Sequence, residues 1–432
     1  MKLSRVVLFV CLIVASACAV AWVMPQPVEA LNNVLALSRP TAATGFVETL
    51  LTDKTTRTEP TLPTYPAAGG KYTDAVFGTE ILRVTDAVNE TDAGGAMVSY
   101  SYWPSLNSNN TRIQFRTVIG YSRAKFYTFN ATNFTVGATG SILASPPGGL
   151  QEYGLVWDSN EPDIIYGPAS YNLSRINVAD GTNTTLKSFS GRGHTGGYIT
   201  QISKSADDNC FSGSYETGGT PNGYWAWKRD TDTVLLENLS KASLDEVQID
   251  KTCTYLTIKI VGGNAEVWNL STGLQVGSTL TGNSAFNHSE TGDGTALTHR
   301  PVNTSLGYRN LATPTTITDL LPCMTNGWSY SGTQDHFSMT ATSQLWAVAS
   351  RYRSAGGGVT TAFDNEILQV ATDGSCRVRR IAHHRSAATT YDAQPKANVS
   401  MDGQFVVFSS NMGSAGGRRD VFVVKIQPAP TS

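Results

Sequence analysis

The sequence predicts an all-β fold, a seven-bladed β-propeller of four-stranded blades closed by an N-terminal strand. Three observations carry that expectation. Seven times a turn-rich phrase is followed at once by a compact apolar, β-branched run: SLNSNNTRIQF, VWDSNEPDIIYG, ISKSADDNCFSGSY, VQIDKTCTYLTIKI, SETGDGTALTHR, SMTATSQLWAVAS and NVSMDGQFVVFSS. Their turn centres lie near Asn109, Asn160, Asp208, Lys251, Asp293, Thr342 and Asp402, a spacing of roughly 40 to 60 residues that, made of strands alone, marks propeller blades. Charged residues are only 15% of the chain while Gly, Thr, Ser and Asn abound, which suits short strands and tight turns better than long amphipathic helices.

The third observation is an orphan. GTEILRVTD stands ahead of the first complete repeat with no partner strand of its own. A ring of sheets must close, and this strand can do so beside the last one, DVFVVKI, removing an exposed edge. Within each repeat the plan is a turn phrase, an inner strand, a second strand and an exposed hairpin. FYTFNATNFT, LSRINVADGTNTTL, WAWKRDTDTVLL, EVWNLSTGLQV and EILQVATDGSCRV all place D-G, T-G or N-x-T turns between alternating runs.

Upstream of the repeats the chain reads differently. Lys2 and Arg5 precede an apolar run over residues 6–24, and Val28-Glu29-Ala30 offers small residues for a signal peptidase. Residues 1–30 are therefore expected to be a secretory signal, or an uncleaved anchor, since such a run can just span a bilayer. Residues 31–68, rich in Thr, Pro and Ala, read as a poorly ordered spacer, and residues 69–432 as the propeller. The expected location is extracellular or periplasmic, with membrane contact only through the N-terminal segment. Eleven N-x-S/T sequons, from Asn89 to Asn398, mark exposed turns and possible glycosylation. Outside the leader stand Cys210, Cys253, Cys323 and Cys376. Three connectivities are open, with Cys210–Cys253 preferred because both fall at similar places in neighbouring repeats, followed by Cys323–Cys376. A net charge of −2 with no basic block gives no support to a nucleic-acid partner.

A propeller gathers one equivalent position from every blade around a central funnel. The positions just ahead of each phrase are Tyr102, Glu152 with Tyr153, His194, Asp245 with Glu246, His288, Asp335 with His336, and Tyr391 with Gln394. Three of the six histidines fall in this register, and His383 and His384 lie just upstream of the seventh. Imidazole ligates cations and moves protons near neutral pH, so the cluster is a candidate metal or acid–base site. The alternative is structural: seven converging strand ends need hydrogen-bond partners whether or not they do chemistry. His299, beyond its inner-strand turn, reads as structural or exposed.

The segment IAHHRSAATTYDAQPKANVSMDGQFVVFSSNMGSAGGRRDVFVVKI resembles the last blade of the oligogalacturonate-lyase-like and TolB-like propellers. NHSETGDGTAL looks like the strand that supplies a metal ligand in those lyases, and GTEILRVTD is similar to their opening strand. The resemblance implies a polysaccharide lyase acting on uronates by β-elimination, with a divalent cation such as manganese or calcium. His288 matches the first metal-binding histidine. Gln394 and Lys396 stand where two histidines are expected, and Tyr391 replaces a glutamine; a protonated lysine cannot ligate a metal. His336 and His384 are the ring histidines available to compensate.

On this reading His288 and His336 hold a metal or the uronate carboxylate, Lys396 or Arg385 supplies positive charge, and His384 or Tyr391 is the base. His194, Glu152, Glu246, Asp335 and Gln394 are expected to contact ligand, an acidic polysaccharide or other glycan. Trp103, Trp225 and Trp227 could stack on sugar rings or pack between blades. The competing reading is a non-catalytic propeller that binds a glycan or protein through the same face. A hydrolase using Glu152, Glu246 and Asp335 is a third. Sialidase Asp boxes are absent, and a single Trp157-Asp158 without a Gly-His partner does not make a WD40 scaffold.

Overall fold

A computed structural model describes residues 49–50, 55–86, 95–117, 124–137, 141–142, 154–192, 196–281, 286, 290–300, 305–321, 333–353, 359, 361–414 and 418–426. Seven sheets follow one another along the chain as the blades of a propeller. From the inside outward, blade 1 runs Ala96–Met97, Arg112–Thr117, Ala124–Asn130 and Thr135–Val136. Blade 2 runs Val156–Trp157, Ile164–Ala169, Asn172–Asn177 and Asn183–Ser188. Blade 3 comprises Tyr198–Lys204, Cys210–Thr217, Thr220–Lys228 and Thr233–Asn238, and blade 4 comprises Leu244–Ile249, Tyr255–Ile260, Asn264–Asn269 and Leu274–Gln275. In blade 5 the innermost strand shrinks to one bridge, Thr291 to Ala296, inside Thr295–Arg300, Ser305–Asn310 and Thr318–Asp319. Blade 6 holds Thr333–Ser338, Trp346–Arg353, Glu366–Ala371 and Arg377–His383.

Blade 7 is built from both ends of the chain. Asn398–Val399, Phe405–Ser410 and Asp420–Lys425 are joined by Glu80–Arg83, with Ile81 opposite Val424 and Leu82 opposite Val423. The orphan strand closes the ring as expected, so the last blade exposes no bare edge there. Lys71–Thr73 adds a fifth strand outside it.

Each blade buries both faces against its neighbours, and seven apolar clusters fill the seven interfaces. Ala124 and Phe126 meet Trp157 and Ile165 between blades 1 and 2; Cys210 and Tyr224 meet Val247 and Ile258 between blades 3 and 4. Val348 and Ile367 meet Phe408 and Phe422 between blades 6 and 7. Residues facing both sides are apolar, which is why the central strands read as continuous runs such as FVVF and not as strict alternation. Trp225 and Trp227 belong to this core, 0% and 2% exposed, and stack on no ligand.

The turn phrases do a specific job. Each sits where an inner strand turns back, and a hydrogen bond crosses to the next blade at every step of the ring. Asn107 Nδ2 donates to Pro162 O at 2.7 Å, and the Ser159 amide donates to Asp208 at 2.9 Å. The Ala206 amide donates to Lys251 O at 2.9 Å and the Gly294 amide to Asp250 at 3.1 Å. The Met339 amide donates to Glu290 at 2.6 Å, the Thr342 amide to Met401 O at 2.8 Å, and Asn110 Nδ2 to Asp402 at 2.6 Å. Asp and Asn recur because their short side chains bond the backbone two residues on and still reach outward. Gly403, at φ +74°, supplies the left-handed residue the last of these turns needs.

A disulfide joins Cys210 to Cys253 across blades 3 and 4, the preferred pairing. Cys376 is also disulfide-bonded; Cys323 lies outside the described residues. The spacer expectation needs correction over residues 55–68. This stretch has no regular structure, yet Tyr65 donates to Asp420 at 2.5 Å, Arg385 donates to Pro60 O at 2.5 Å and Arg380 donates to Thr55 O at 2.9 Å. Arginines of blades 6 and 7 tie it down, so it lies on the propeller as a strap. Thr49–Leu50 pairs with the outer strand of blade 6. Residues 1–30, expected to be a signal or anchor, lie outside the described residues.

Candidate functional site

After its two-residue inner strand, blade 1 turns through Tyr100 and Trp103, which form a bridge. The segment then crosses the channel. The Trp103 indole N–H donates to Ile202 O of blade 3 at 3.0 Å, the Tyr102 hydroxyl donates to Glu246 of blade 4, and the Tyr100 ring meets His336 of blade 6 edge-on at 5.0 Å. Tyr102 and Trp103 line two cavities at once. They form a septum. On the turn-belt side lies a space of about 700 Å³ bordered by Ser159, Lys204, Lys251, Glu290 and Asp402.

On the other side lies a mouth of about 480 Å³, walled by Tyr100, Tyr102, Trp103, Tyr391, Phe286, Asp245, Glu246 and Lys259. Its polar groups are arranged with care. Glu246 pairs with Lys259, accepts the Tyr102 hydroxyl and accepts Gln248 Nε2 at 3.0 Å. Lys259 lies 5.4 Å from the Tyr102 ring centre, so one cation serves both a carboxylate and a π-face. Asp245 is exposed to the mouth, and its carboxyl is raised above the usual range by burial of the site and then by the neighbouring Glu246 charge. Burial and Glu246 likewise push the Tyr102 hydroxyl well above its ordinary value.

Of the residues expected to act here, Tyr391 and Glu246 reach the mouth. Tyr391 is 46% exposed, on a single 3-10 turn over Tyr391–Ala393 that the Gln394 amide closes. Lys396 lies beneath it, 1% exposed, with Nζ 3.2 Å from the Tyr391 ring centre and 5.6 Å from that of Tyr100. Its charge therefore reaches the mouth only through an aromatic ring. Gln394 is half-buried beside this turn and is not on the wall.

The other described candidates are structural in their surroundings. His384 is fully buried; its Nε2 donates to Arg351 O at 3.0 Å and its Nδ1 accepts the Ser386 amide at 2.9 Å. Burial holds its pKa down at about 3, so it stays unprotonated near neutral pH, and with both ring nitrogens buried and bonded to the backbone neither is left for a metal or a substrate proton. His336 is also 0% exposed, stacked on Tyr352 at 5.3 Å and 18°. Asp335 faces the buried Arg351 at 3.5 Å. Arg385 points away from the mouth to the strap, bonding Pro60 and facing Glu59 at 3.8 Å. In each case seven packed blades leave the wall only to residues at the lip, and one step further inward is core.

His288, His194 and Glu152 lie outside the described residues. Among the described residues no group of three or more His, Cys, Asp or Glu side chains could hold a metal ion. His336 and Lys396, at two positions expected to face a cation, are packed against aromatic rings instead. The described residues do not fit a metal shell.

Tyr100, Lys259 and Phe286 were not anticipated as wall residues. Lys259 had a signal: a lone lysine in the apolar strand YLTIKI must find a buried partner. Tyr100 had none, because its position depends on how the chain turns after a two-residue strand.

With fold and mouth in place, similar structures can be compared. An oligogalacturonate lyase in complex with manganese superposes with a TM-score of 0.54 and 13% identity, over 84% of this chain and 98% of that one. An oligogalacturonate lyase from Vibrio parahaemolyticus gives 0.57 and 10%, over 83% and 98%. The chain shares the seven-bladed propeller fold of these structures. No family model matches the chain, and no curated protein matches it. At these identities the likeness is one of fold.

Proposed function

We propose that this exported propeller is a carbohydrate-binding protein that receives its glycan in the mouth walled by Tyr100, Tyr102, Trp103 and Tyr391. The observation that carries the reading is the combination of four aromatic side chains with two adjacent carboxylates in one cavity of about 480 Å³. Sugar rings have apolar C–H faces that pack on aromatic rings and hydroxyl edges that donate to carboxylates, and a small ligand site needs both. Titrating the mature chain with neutral and uronic oligosaccharides, followed by tryptophan fluorescence, tests it, since Trp103 is on the wall. Tyr391→Ala is expected to weaken binding up to about tenfold, the worth of one aromatic contact. A flat titration across the panel from folded protein would sink the reading.

A second reading, uronate lyase, is favoured by one observation. Tyr391 is a proton-accepting group at the mouth with the Lys396 ammonium held behind its ring, a placement that suits abstraction of a carbon-bound proton. Any divalent cation in that reading belongs with His288. An absorbance assay for unsaturated uronic products, with manganese or calcium and then chelator, separates the two: product formation abolished by Tyr391→Phe would make the protein a lyase.

A further inference from the structure

We propose that Asp245 makes this mouth selective for a saccharide bearing a protonated amine, a hexosamine unit, over neutral and uronic sugars. The inference rests on the carbohydrate-binding reading and names the substrate class of that site.

The charged groups of the mouth are unequally committed. Among the described residues, three charged side chains line the mouth: Asp245, Glu246 and Lys259. Glu246 and Lys259 neutralise each other, and Glu246 also accepts Tyr102 and Gln248. Asp245 is the remainder: Lys259 also favours its ionised form, but less than burial and Glu246 oppose it, and one cation against two carboxylates leaves a net negative charge. Its carboxylate makes no hydrogen bond or ion pair among the described residues, while its main-chain carbonyl accepts Gln201 Nε2 at 3.1 Å and fixes the backbone there. The nearby Lys396 does not offset it, because Lys396 is 1% exposed and is screened from the mouth by the Tyr391 ring.

A bound sugar would therefore meet one uncommitted negative charge among aromatic faces. Aromatic faces attract cations through the ring quadrupole, and an ammonium bonded to a carboxylate makes one of the stronger hydrogen bonds available. A uronate carboxylate would meet repulsion at the same place. An incoming ammonium would favour the ionised form of Asp245, whose carboxyl is otherwise raised by burial and by the Glu246 charge.

The test uses residues 31–432 at about pH 5.5 and again at about pH 6.5, because the hexosamine amine must be protonated while Asp245, whose carboxyl is raised above the ordinary range, must be ionised. Calorimetric titrations compare a free-amine hexosamine oligomer, its N-acetylated form and an oligogalacturonate of equal length. The free-amine form is expected to bind about tenfold or more tightly than the acetylated one, as a charged hydrogen bond allows. That preference should collapse in Asp245→Asn and shrink at high salt, since it is electrostatic. The salt series on the unmodified chain gives an answer even if the variant folds poorly. Equal affinity for the two amine forms, or a preference that survives in Asp245→Asn, overturns the proposal while leaving carbohydrate binding in place. Tightest binding of oligogalacturonate overturns it in favour of the uronate reading. Binding of none of the three defeats carbohydrate binding itself.

Discussion

The Tyr102 hydroxyl of blade 1 donates to the Glu246 carboxylate of blade 4, linking residues that stand apart in the ring and dividing the channel into two chambers. Glu246 is 8% exposed and holds Lys259 as well. Tyr102→Phe removes one donor from a buried charge and keeps the ring in place. Stability should fall by about 1.5–3 kcal/mol, the range for a hydrogen bond to a charged group. Urea unfolding of residues 31–432 measures it; an unchanged midpoint would mean water replaces the hydroxyl.

The turn belt contains one expensive bond. Lys204 is 9% exposed and pairs with Asp208, which also accepts the Ser159 amide of the preceding blade. Asp208→Ala strands a buried ammonium and should cost about 3–5 kcal/mol. Asp402→Ala, at the exposed equivalent between blades 7 and 1, should cost about 1 kcal/mol. A Lys204→Met change added to Asp208→Ala should restore most of the loss. Similar costs at the two aspartates, read from thermal melts, would refute the distinction between a bonded turn and a buried pair.

His384 predicts a pH dependence. Burial depresses its pKa from 6.5 to about 3, so the folded chain keeps it neutral where the unfolded chain protonates it. The unfolded state binds more protons between those two values, and stability must decline as pH falls from 6.5 toward 3. Above 6.5 this contribution is fully present. Folding free energies measured by urea at several pH values should show the decline, and His384→Gln should flatten it. A slope identical in the variant would assign it to other groups.

The Cys210–Cys253 bridge spans 43 residues and clamps blades 3 and 4. Removing it by Cys210→Ala with Cys253→Ala should cost about 2–4 kcal/mol, chiefly through a freer unfolded chain. Differential scanning calorimetry with and without reductant checks this. Reductant should have no such effect on the double variant at this bridge.

The repeat was informative about architecture and misleading about how deep several side chains sit. Ring closure was legible because an unpaired strand at one end and a terminal strand at the other leave one economical solution. The disulfide was legible because two cysteines fell at equivalent places in consecutive repeats. His336 and His384 were not placed correctly by the repeat, because a register says which strand end a residue occupies and not how deep it sits. A one-residue difference turns a side chain from the channel to the core, and both imidazoles lie on the buried side of that line.

Sequence by itself determined the all-β class, the seven repeats, their closure and the positions of the Asp- and Asn-rich turns, since these depend on local spacing and short-range hydrogen bonding. Only the tertiary structure decided the site. The septum of Tyr102 and Trp103, the neutralised pair of Glu246 and Lys259, and the exposed carboxylate of Asp245 bring together blades 1 and 4. Their meeting depends on seven sheets closing around one axis, and no local pattern in the chain encodes which side chains then face each other across it.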